Sequence, residues 1–397
     1  MLRTSGQAHP IRLSLHDSIH MIHREDWTHV AEGASLYLQY DHLRALEDVL
    51  SASMRFRYAI YYDEHNHPIG IAYFQVVELV DNGSDYREKV CSLAGLGSRI
   101  IRDMKALCLV SGNAFHFGDH GAYFKPHIPA SYRWSAVEAT LRKLDKGGMV
   151  EPRPAILLFK DFISEQYSAA QHLVDERYHA LDMDANMVLH LDPDWSDMED
   201  YQEALTSKAR TRIRSLLKRS AALEVLPMNA KDIRAATPRL QGLFDQVLER
   251  SPFVFGRLKT EVYADWKMQL GEQLQFRGFF LNGTLVGFTA AFVVGDTLDV
   301  QYVGLDYAHN EGHALYQRML FELLDTALRG GMRGINFGRT AEQAKSNLGA
   351  VPVPTRFYVK HRNTLASKLA GPFLRSIKPA EFEQRSPFKQ KKAQVAA

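Results

Sequence analysis

Two short stretches in the last third of the chain hold the side chains and backbone groups best suited to chemistry. His309-Asn310-Glu311-Gly312-His313-Ala314 places small residues just ahead of a helical pattern. Backbone N–H groups at the positive end of a helix can approach an anion such as a phosphate there. Asp299 and Tyr302 lie just upstream on a strand-like segment and could accept or donate a proton. Downstream, Arg339 carries a planar fork that suits a carboxylate or phosphate, and Lys345 stands beside Ser346. Each residue has an ordinary reading as well. The small residues fit a plain helix start, Tyr302 a half-buried strand aromatic, Asp299 the solvent-facing member of an alternation. Arg339 fits an internal ion pair and Lys345 a surface lysine.

The elements that must position these groups can be read from periodicity. Thr297–Leu305 alternates Leu298, Val300 and Tyr302 against Asp299 and Gln301, the period of a strand with two unlike faces. A helical pattern starts near Ala314 and stops at Gly330-Gly331. Leu315, Met319, Leu320, Leu323, Leu324, Ala327 and Leu328 form its apolar face, and Arg318/Glu322 and Asp325/Arg329 pair four apart on the polar side. Upstream, 278–281 and Thr284–Val294 are apolar runs around Asn282-Gly283, the dipeptide of a two-residue hairpin turn. Gly295-Asp296 turns the chain into the next strand, and 334–338 supplies another after the helix. The predicted order is hairpin, long strand, loop, helix, strand. A doubly wound nucleotide fold needs parallel strands separated by helices, which these short turns exclude.

That order, with Gly312 and Ala314 at the strand-to-helix junction, resembles the Gcn5-related acyltransferases, the GNAT superfamily. Those proteins carry Arg/Gln-x-x-Gly-x-Gly/Ala at this junction; here His309 stands in place of the Arg or Gln. The resemblance implies that backbone amides around His309, Gly312, His313 and Ala314 bind the pyrophosphate of coenzyme A. It implies also that the backbone of Tyr302, Val303 and Gly304 grips the pantetheine arm and faces the thioester carbonyl. Tyr302, Asp299 and Lys345 are then the candidate catalytic groups, with Arg339 a candidate for substrate recognition. One departure stands out. Many GNAT enzymes place an acid tyrosine about three residues before a Gly on the helix after the last strand; here Ser346 holds that spacing before Gly349, beside Lys345.

The same element order occurs earlier in the chain. Segment 58–62, a polar turn around His65-Asn66-His67-Pro68 and segment 69–77 make another hairpin; 107–110 reads as a strand, and a helix is predicted from 131 to about 144. Gly118-Asp119-His120-Gly121 is turn-like without being a phosphate motif, so this half reads as degenerate. Between the halves, Ser207 to Arg219 forms a basic amphipathic helix, with Ala209, Ile213, Leu216 and Leu217 free to face a core. Its Lys-x-Arg-x-x-Ile-Arg pattern, with Leu38 to Glu47, Phe337-Gly338-Arg339-Thr340 and Lys345 to Ala350, is similar to the Fem-type aminoacyltransferases, which have tandem GNAT domains. The expected fold is therefore α+β (mixed α/β), tandem GNAT-like domains, each a mostly antiparallel sheet flanked by helices. The expected boundaries are 1–195, 196–372 with the acyl-donor site, and a partly disordered tail 373–397.

Composition bounds the rest. A chain of 397 residues exceeds what one core usually serves. A net charge of +2 argues against a general nucleic-acid binder and confines attraction to local patches. No apolar run spans a bilayer, and the N-terminus lacks a signal pattern; Cys91 and Cys108 suit reduced thiols in a cytoplasm. His116/His120, His65/His67 and His20/His23 lack completing ligands, so no metal is expected, and no Gly-x-Ser-x-Gly elbow is present. Ser251-Pro252-Phe253-Val254-Phe255-Gly256 could line a substrate pocket through Phe255. The leading expectation is an N-acyltransferase moving an acyl group from acetyl-CoA or a longer acyl-CoA to a small-molecule amine or a lipid or cell-wall precursor. A Fem-like transferase is the first alternative. It would use aminoacyl-tRNA, with Lys208, Arg210, Arg212 and Arg214 meeting the tRNA phosphates. A non-catalytic binding protein of the same fold is the second.

Overall fold

In the computed structural model of the chain, residues 12–81, 106–118, 120–251, 253–376, 379 and 381–389 are described. Cys91, Asp119 and residues 390–397 lie outside them, as do the side chains of Phe253 and Phe255. The chain forms two compact units from interleaved stretches. The first takes Met1–Met183, Leu248–Val262 and Pro354–Pro379; the second takes Asp184–Val247, Tyr263–Val353 and Ala380–Ala397.

In the second unit the hairpin is set by its turn. Asn282 and Gly283 both adopt positive φ, 50° and 75°, the geometry whose twist matches the flanking strands. Leu274–Leu281 and Thr284–Val294 accordingly pair antiparallel. Thr297–Leu305 then pairs antiparallel with Thr284–Val294, and Leu223–Pro227 closes the far edge on Leu274–Leu281. Gly334–Asn336 runs parallel to the start of Thr297–Leu305 and is flanked in turn by residues 188–190. The helix Leu315–Arg329 packs on this sheet through the face its periodicity marks: Leu315, Met319, Leu320, Leu323, Leu324, Ala327 and Leu328 are all buried. Each such leucine contributes about 1.5–3 kcal/mol by leaving water. The pairs Arg318–Glu322 and Arg329–Asp325 form on its outer side.

The first unit repeats the plan. Arg12–His16, Arg55–Tyr62, Pro68–Asp81 and Ala106–Ser111 pair antiparallel in that order. Ala106–Ser111 then pairs parallel with Ile156–Phe162, which is flanked by residues 356–361. The helix Ala130–Lys146 covers the sheet, burying Trp134, Val137, Leu141 and Leu144. Both units are thus mixed α/β, with mostly antiparallel sheets.

Candidate active site

The second unit's sheet opens at one place. Thr297–Leu305 and Gly334–Asn336 pair over Thr297↔Gly334, Leu298↔Ile335 and Asp299↔Asn336. The chain then leaves the ladder at Phe337-Gly338, while the long strand continues to Leu305. On its other side that strand carries a bulge: Ala290 faces Tyr302 and Ala291 faces Val300, leaving Gln301 over. Bulges re-aim side chains and interrupt the ladder, and they recur beside functional sites. Here the bulge breaks the simple alternation read from sequence. Leu298, Asp299 and Val300 are all buried, whereas Gln301, Tyr302 and Val303 are half-buried. Asp299 is therefore not the solvent-facing member of a two-faced strand. It sits at the last paired register before the sheet opens.

The opposite wall is a strained loop. Gly338, Thr340 and Ala341 have φ of 74°, 64° and 52°, and a β-branched residue in that region is an outlier. Lys345 ties the loop together. Its Nζ donates to the carbonyls of Gly338 at 3.1 Å and Arg339 at 2.6 Å. The N–H groups of Ala344 and Lys345 donate to the carbonyl of Ala341. Lys345 is only 3 % exposed, so it is not a surface lysine. Burial lowers its ammonium to about 7, with the Glu342 carboxylate pulling the other way. Ser346 is fully buried and donates to the carbonyl of Gln343. Arg339 is half-buried, and burial lowers it to about 10.

Three phenols on elements of this unit have hydroxyls that burial raises. Tyr302 stacks at 4.8 Å on Phe244, and burial raises its hydroxyl above the ordinary tyrosine range. Tyr263 is fully buried among Trp266, Phe276 and Phe288, and its hydroxyl has no hydrogen-bond partner among the described residues. Burial raises it too, with Tyr302 close enough to add to the effect. Tyr316, at the start of the long helix, is raised by burial and then by its neighbours Tyr307 and Glu342. Sequence reading missed Tyr263 and Tyr316. Tyr316 follows the expected helix start by two residues and could have been noticed; Tyr263 arrives from a separate helix with no local signal. Val303 lies half-buried and Gly304 is buried. A Cβ on Gly304 would meet the Phe288 ring at 2.2 Å, so close aromatic packing already accounts for a glycine there.

The expected phosphate loop has a different shape. Tyr307–His313 is a helix, capped by the Asp306 side chain on the N–H of Ala308, and it ends at Ala314 with φ of 48°. The amide of Ala314 donates to the carbonyl of Asn310, and that of Tyr316 to the Asn310 side chain at 3.0 Å. Gly312 and His313 lie inside a helix, whose amides bond backwards along the chain. The Asp306 cap and its pair with Arg239 at 2.9 Å stabilise helix where the glycine suggested loop. The first-turn amides with no helical partner are those of Leu315 and Gln317. Around Gly312 the space is open: a Cβ there would meet nothing within 4 Å. His309 and His313 are half-buried, their ring centroids 6.2 Å apart.

Other sequence candidates fall elsewhere. The strand Phe253–Phe255 belongs to the first unit, where it pairs with residues 79–81. The side chain of Phe255 is outside the described residues. In the helix Ser207–Arg219, Ala209 and Ile213 are buried as expected. Arg210 donates to the carbonyls of Glu203 and Leu205, closing the helix Met198–Ala204, and Arg212 reaches Asn347. Two of the four cations assigned to tRNA phosphates are thus engaged within the chain. In the first unit Glu138, His172 and Glu176 bring ligand atoms within 4.8 Å of one another. Arg142 already pairs with both carboxylates, at 3.6 and 3.3 Å.

Residues 207–346 match the family model for the acetyltransferase (GNAT) domain. No curated protein sequence matches the chain. Among solved structures, a tandem GNAT protein from the clavulanic acid biosynthesis pathway is 10% identical. The match covers 88% of this chain and 98% of that one, with a TM-score of 0.52. FemX is 10% identical over 88% of this chain and 98% of its own, with a TM-score of 0.49. L-PGS from Bacillus licheniformis is 11% identical over 83% and 96%, with a TM-score of 0.47. At such identities the tandem GNAT protein establishes a shared fold.

Proposed function

We propose that this chain, whose residues 207–346 match the family model for the acetyltransferase (GNAT) domain, is an N-acyltransferase moving an acyl group from acyl-CoA to an amine. The observation that carries the reading is where the match falls. It spans the strand that continues past Asp299↔Asn336, the partner that stops there, and the helix that delivers Lys345. The donor supplies a thioester activated toward amines. The residues that would hold it are the backbone of Tyr302, Val303 and Gly304, with the Leu315 and Gln317 amides at the positive end of a 15-residue helix. His309 and His313 stand beside that helix start.

The chain's own groups divide the remaining work. Asp299 is the carboxylate nearest the point of opening and takes the role of proton acceptor. Tyr302 and Tyr316 stay protonated near neutrality, since burial raises both; they serve as donors and not as bases. Arg339 offers a partly desolvated fork to an acceptor that bears a carboxylate or phosphate. Lys345 is a positioning residue, fixing the loop that presents Arg339.

The test is calorimetric titration with acetyl-CoA and longer acyl-CoA thioesters. Gly312→Glu places a negative charge in open space at an exposed position, so circular dichroism should be unchanged. Binding is expected to weaken by at least about tenfold, roughly 1.4 kcal/mol. Unchanged binding removes the reading. Turnover of the thioester with a panel of amines then separates an enzyme from a binding protein of the same fold.

A further inference from the structure

The helix Thr364–Ser376 of the first unit is seated the wrong way round for an ordinary surface helix. Ser367 and Gly371 are buried and Ala366 and Ala370 half-buried, so small residues face the protein. The His179 ring fastens this face, its Nε2 lying 2.8 Å from the carbonyl of Ser367. Leu365 and Leu369, four apart on the outer side, are 68% and 72% exposed. They stand among the largest exposed apolar side chains of the described residues, with Lys368 exposed between them. Two leucines held outward on one turn lose the free energy that burial would give, which marks the face as one that something else covers.

Charge identifies the occupant. From 351 to 380 the sequence contains Arg356, Lys360, Arg362, Lys368, Arg375 and Lys378 and no aspartate or glutamate, in a chain of net charge +2. Arg356 and Arg362 pair with Asp182 and Asp145, and Lys360 donates to the carbonyl of Glu176. The Arg362–Asp145 contact joins the start of this segment to the end of the helix Ala130–Lys146. There Lys143 and Lys146 line an open depression of about 440 Å³, beside Arg142, which is paired with Glu138 and Glu176. Burial lowers Lys360 against the pull of the Glu138 and Glu176 carboxylates, and Arg142 and Lys146 add a smaller lowering. A second copy of the chain would bring basic ground against basic ground across a two-fold interface. An RNA would meet the lysines but leave the leucines in water.

We propose that the outer face of Thr364–Ser376 docks on an anionic bilayer surface, Leu365 and Leu369 entering the headgroup boundary while Lys368, Lys143 and Lys146 meet lipid phosphates. At 13 residues the helix lies in the interface plane, and no described helix is long and apolar enough to cross. The docking face belongs to the first unit, and the inference does not depend on the acyl-donor reading.

The experiment is flotation of the full chain with vesicles of equimolar phosphatidylglycerol and phosphatidylcholine, against phosphatidylcholine alone, at low and high salt. Wild type should float with the anionic vesicles, weakly with the neutral ones, and less as salt screens the lysines. Leu365→Asp/Leu369→Asp changes only exposed positions and should lower vesicle affinity by about tenfold or more. Its acyl-CoA titration should match wild type, so failure here and failure of the acyl-donor reading are distinguishable. Equal flotation with neutral vesicles, no flotation of wild type, or full flotation of the double variant overturns the proposal. So does a dimer in sedimentation equilibrium that the double variant abolishes without vesicle binding by wild type.

Discussion

The two units open their sheets at matching places and fill the openings with different chemistry. In the first, Ala106–Ser111 and Ile156–Phe162 part after Ser111↔Phe159; in the second, the parting follows Asp299↔Asn336. Just beyond each lies a buried lysine whose ammonium holds main-chain carbonyls. Lys160 donates to His116, and Lys345 to Gly338 and Arg339. Lys160 also has a carboxylate, Asp161, against it, and both are buried. His116, whose carbonyl takes the Lys160 ammonium, lies against His42, the two histidine Nε2 atoms 3.0 Å apart, and Tyr37 stacks on His116 at 3.8 Å. Burial holds His42 and His120 at about 3, so both rings stay neutral. In the second unit Gln301, Tyr302, Val303 and Arg339 are only half-buried. Among the described residues the direct partners of the Lys345 ammonium are carbonyls alone, with the Glu342 carboxylate acting from further off. One opening is plugged by a compensated ion pair; the other keeps a cation that titrates near neutrality.

Breaking the plug should have the largest effect. Asp161→Asn keeps a residue tolerant of the φ of 61° found there, and an acceptor for the Gly118 amide, but removes the charge. Lys160 then loses the Asp161 carboxylate from a buried site, a loss of roughly 3–5 kcal/mol. Urea denaturation should show the first unit's transition at markedly lower denaturant, while acyl-CoA affinity of the folded protein stays unchanged. A loss under about 1 kcal/mol would mean that the pair does not hold the plug together.

The uncompensated lysine should show itself through pH. Lys345 titrates near 7 in the fold against 10.5 ordinarily, so between those values the unfolded chain binds more protons. Stability must then rise with pH across that window, by at most about 1.4 kcal/mol per pH unit, and the penalty is fully present below pH 7. Lys345→Met lacks the titrating group. The stability of wild type minus that of Lys345→Met, measured by denaturation from pH 7 to 10, should therefore climb with pH. A flat difference would show that the lysine is solvated and the contrast between the units false.

Much of the frame that holds the second opening was legible in the sequence. Asn282-Gly283 names its turn, and the leucine period from Leu315 to Leu328 names both the helix and its buried face. What failed was whatever depends on distant packing. Gly312 suggests loop, yet the Asp306 cap and the Arg239 pair across 67 residues of chain make Tyr307–His313 a helix. Asp299 reads as solvent-facing only while the alternation is unbroken, and no local residue announces the extra Gln301. The partner of the strand Phe253–Phe255, residues 79–81, lies more than 170 residues back in the chain, and no local residue names it. A lysine in a helical pattern gives no hint that a loop will fold its carbonyls onto it.

A close approach within the open unit gives a smaller effect. Gly304→Ala sets a methyl against the Phe288 ring, at 2.2 Å in the present geometry. Overpacking of this kind costs about 1–3 kcal/mol, and Phe288→Leu in the same chain should recover part of it. Thermal unfolding of the single and double variants measures both. If Gly304→Ala is neutral, the long strand can move at this point, and the second opening is looser than the first.

The smallest expected effect distinguishes a glycine kept for the fold from one kept for a partner. Gly312 sits in a helix at ordinary negative φ, exposed, with open space where a Cβ would go. Nothing within the chain requires a glycine there, and replacing it lowers the entropy lost on folding. Gly312→Ala should therefore stabilise the protein by about 0.5–1 kcal/mol, a small rise in urea midpoint. The same methyl probes the surface above the helix. If an acyl donor packs against this turn, affinity for acyl-CoA should fall while stability rises, a combination that no rearrangement of the core produces. Stability and affinity moving together, or affinity not moving at all, would place the donor away from Gly312 and leave the Leu315 and Gln317 amides as the point of contact to examine.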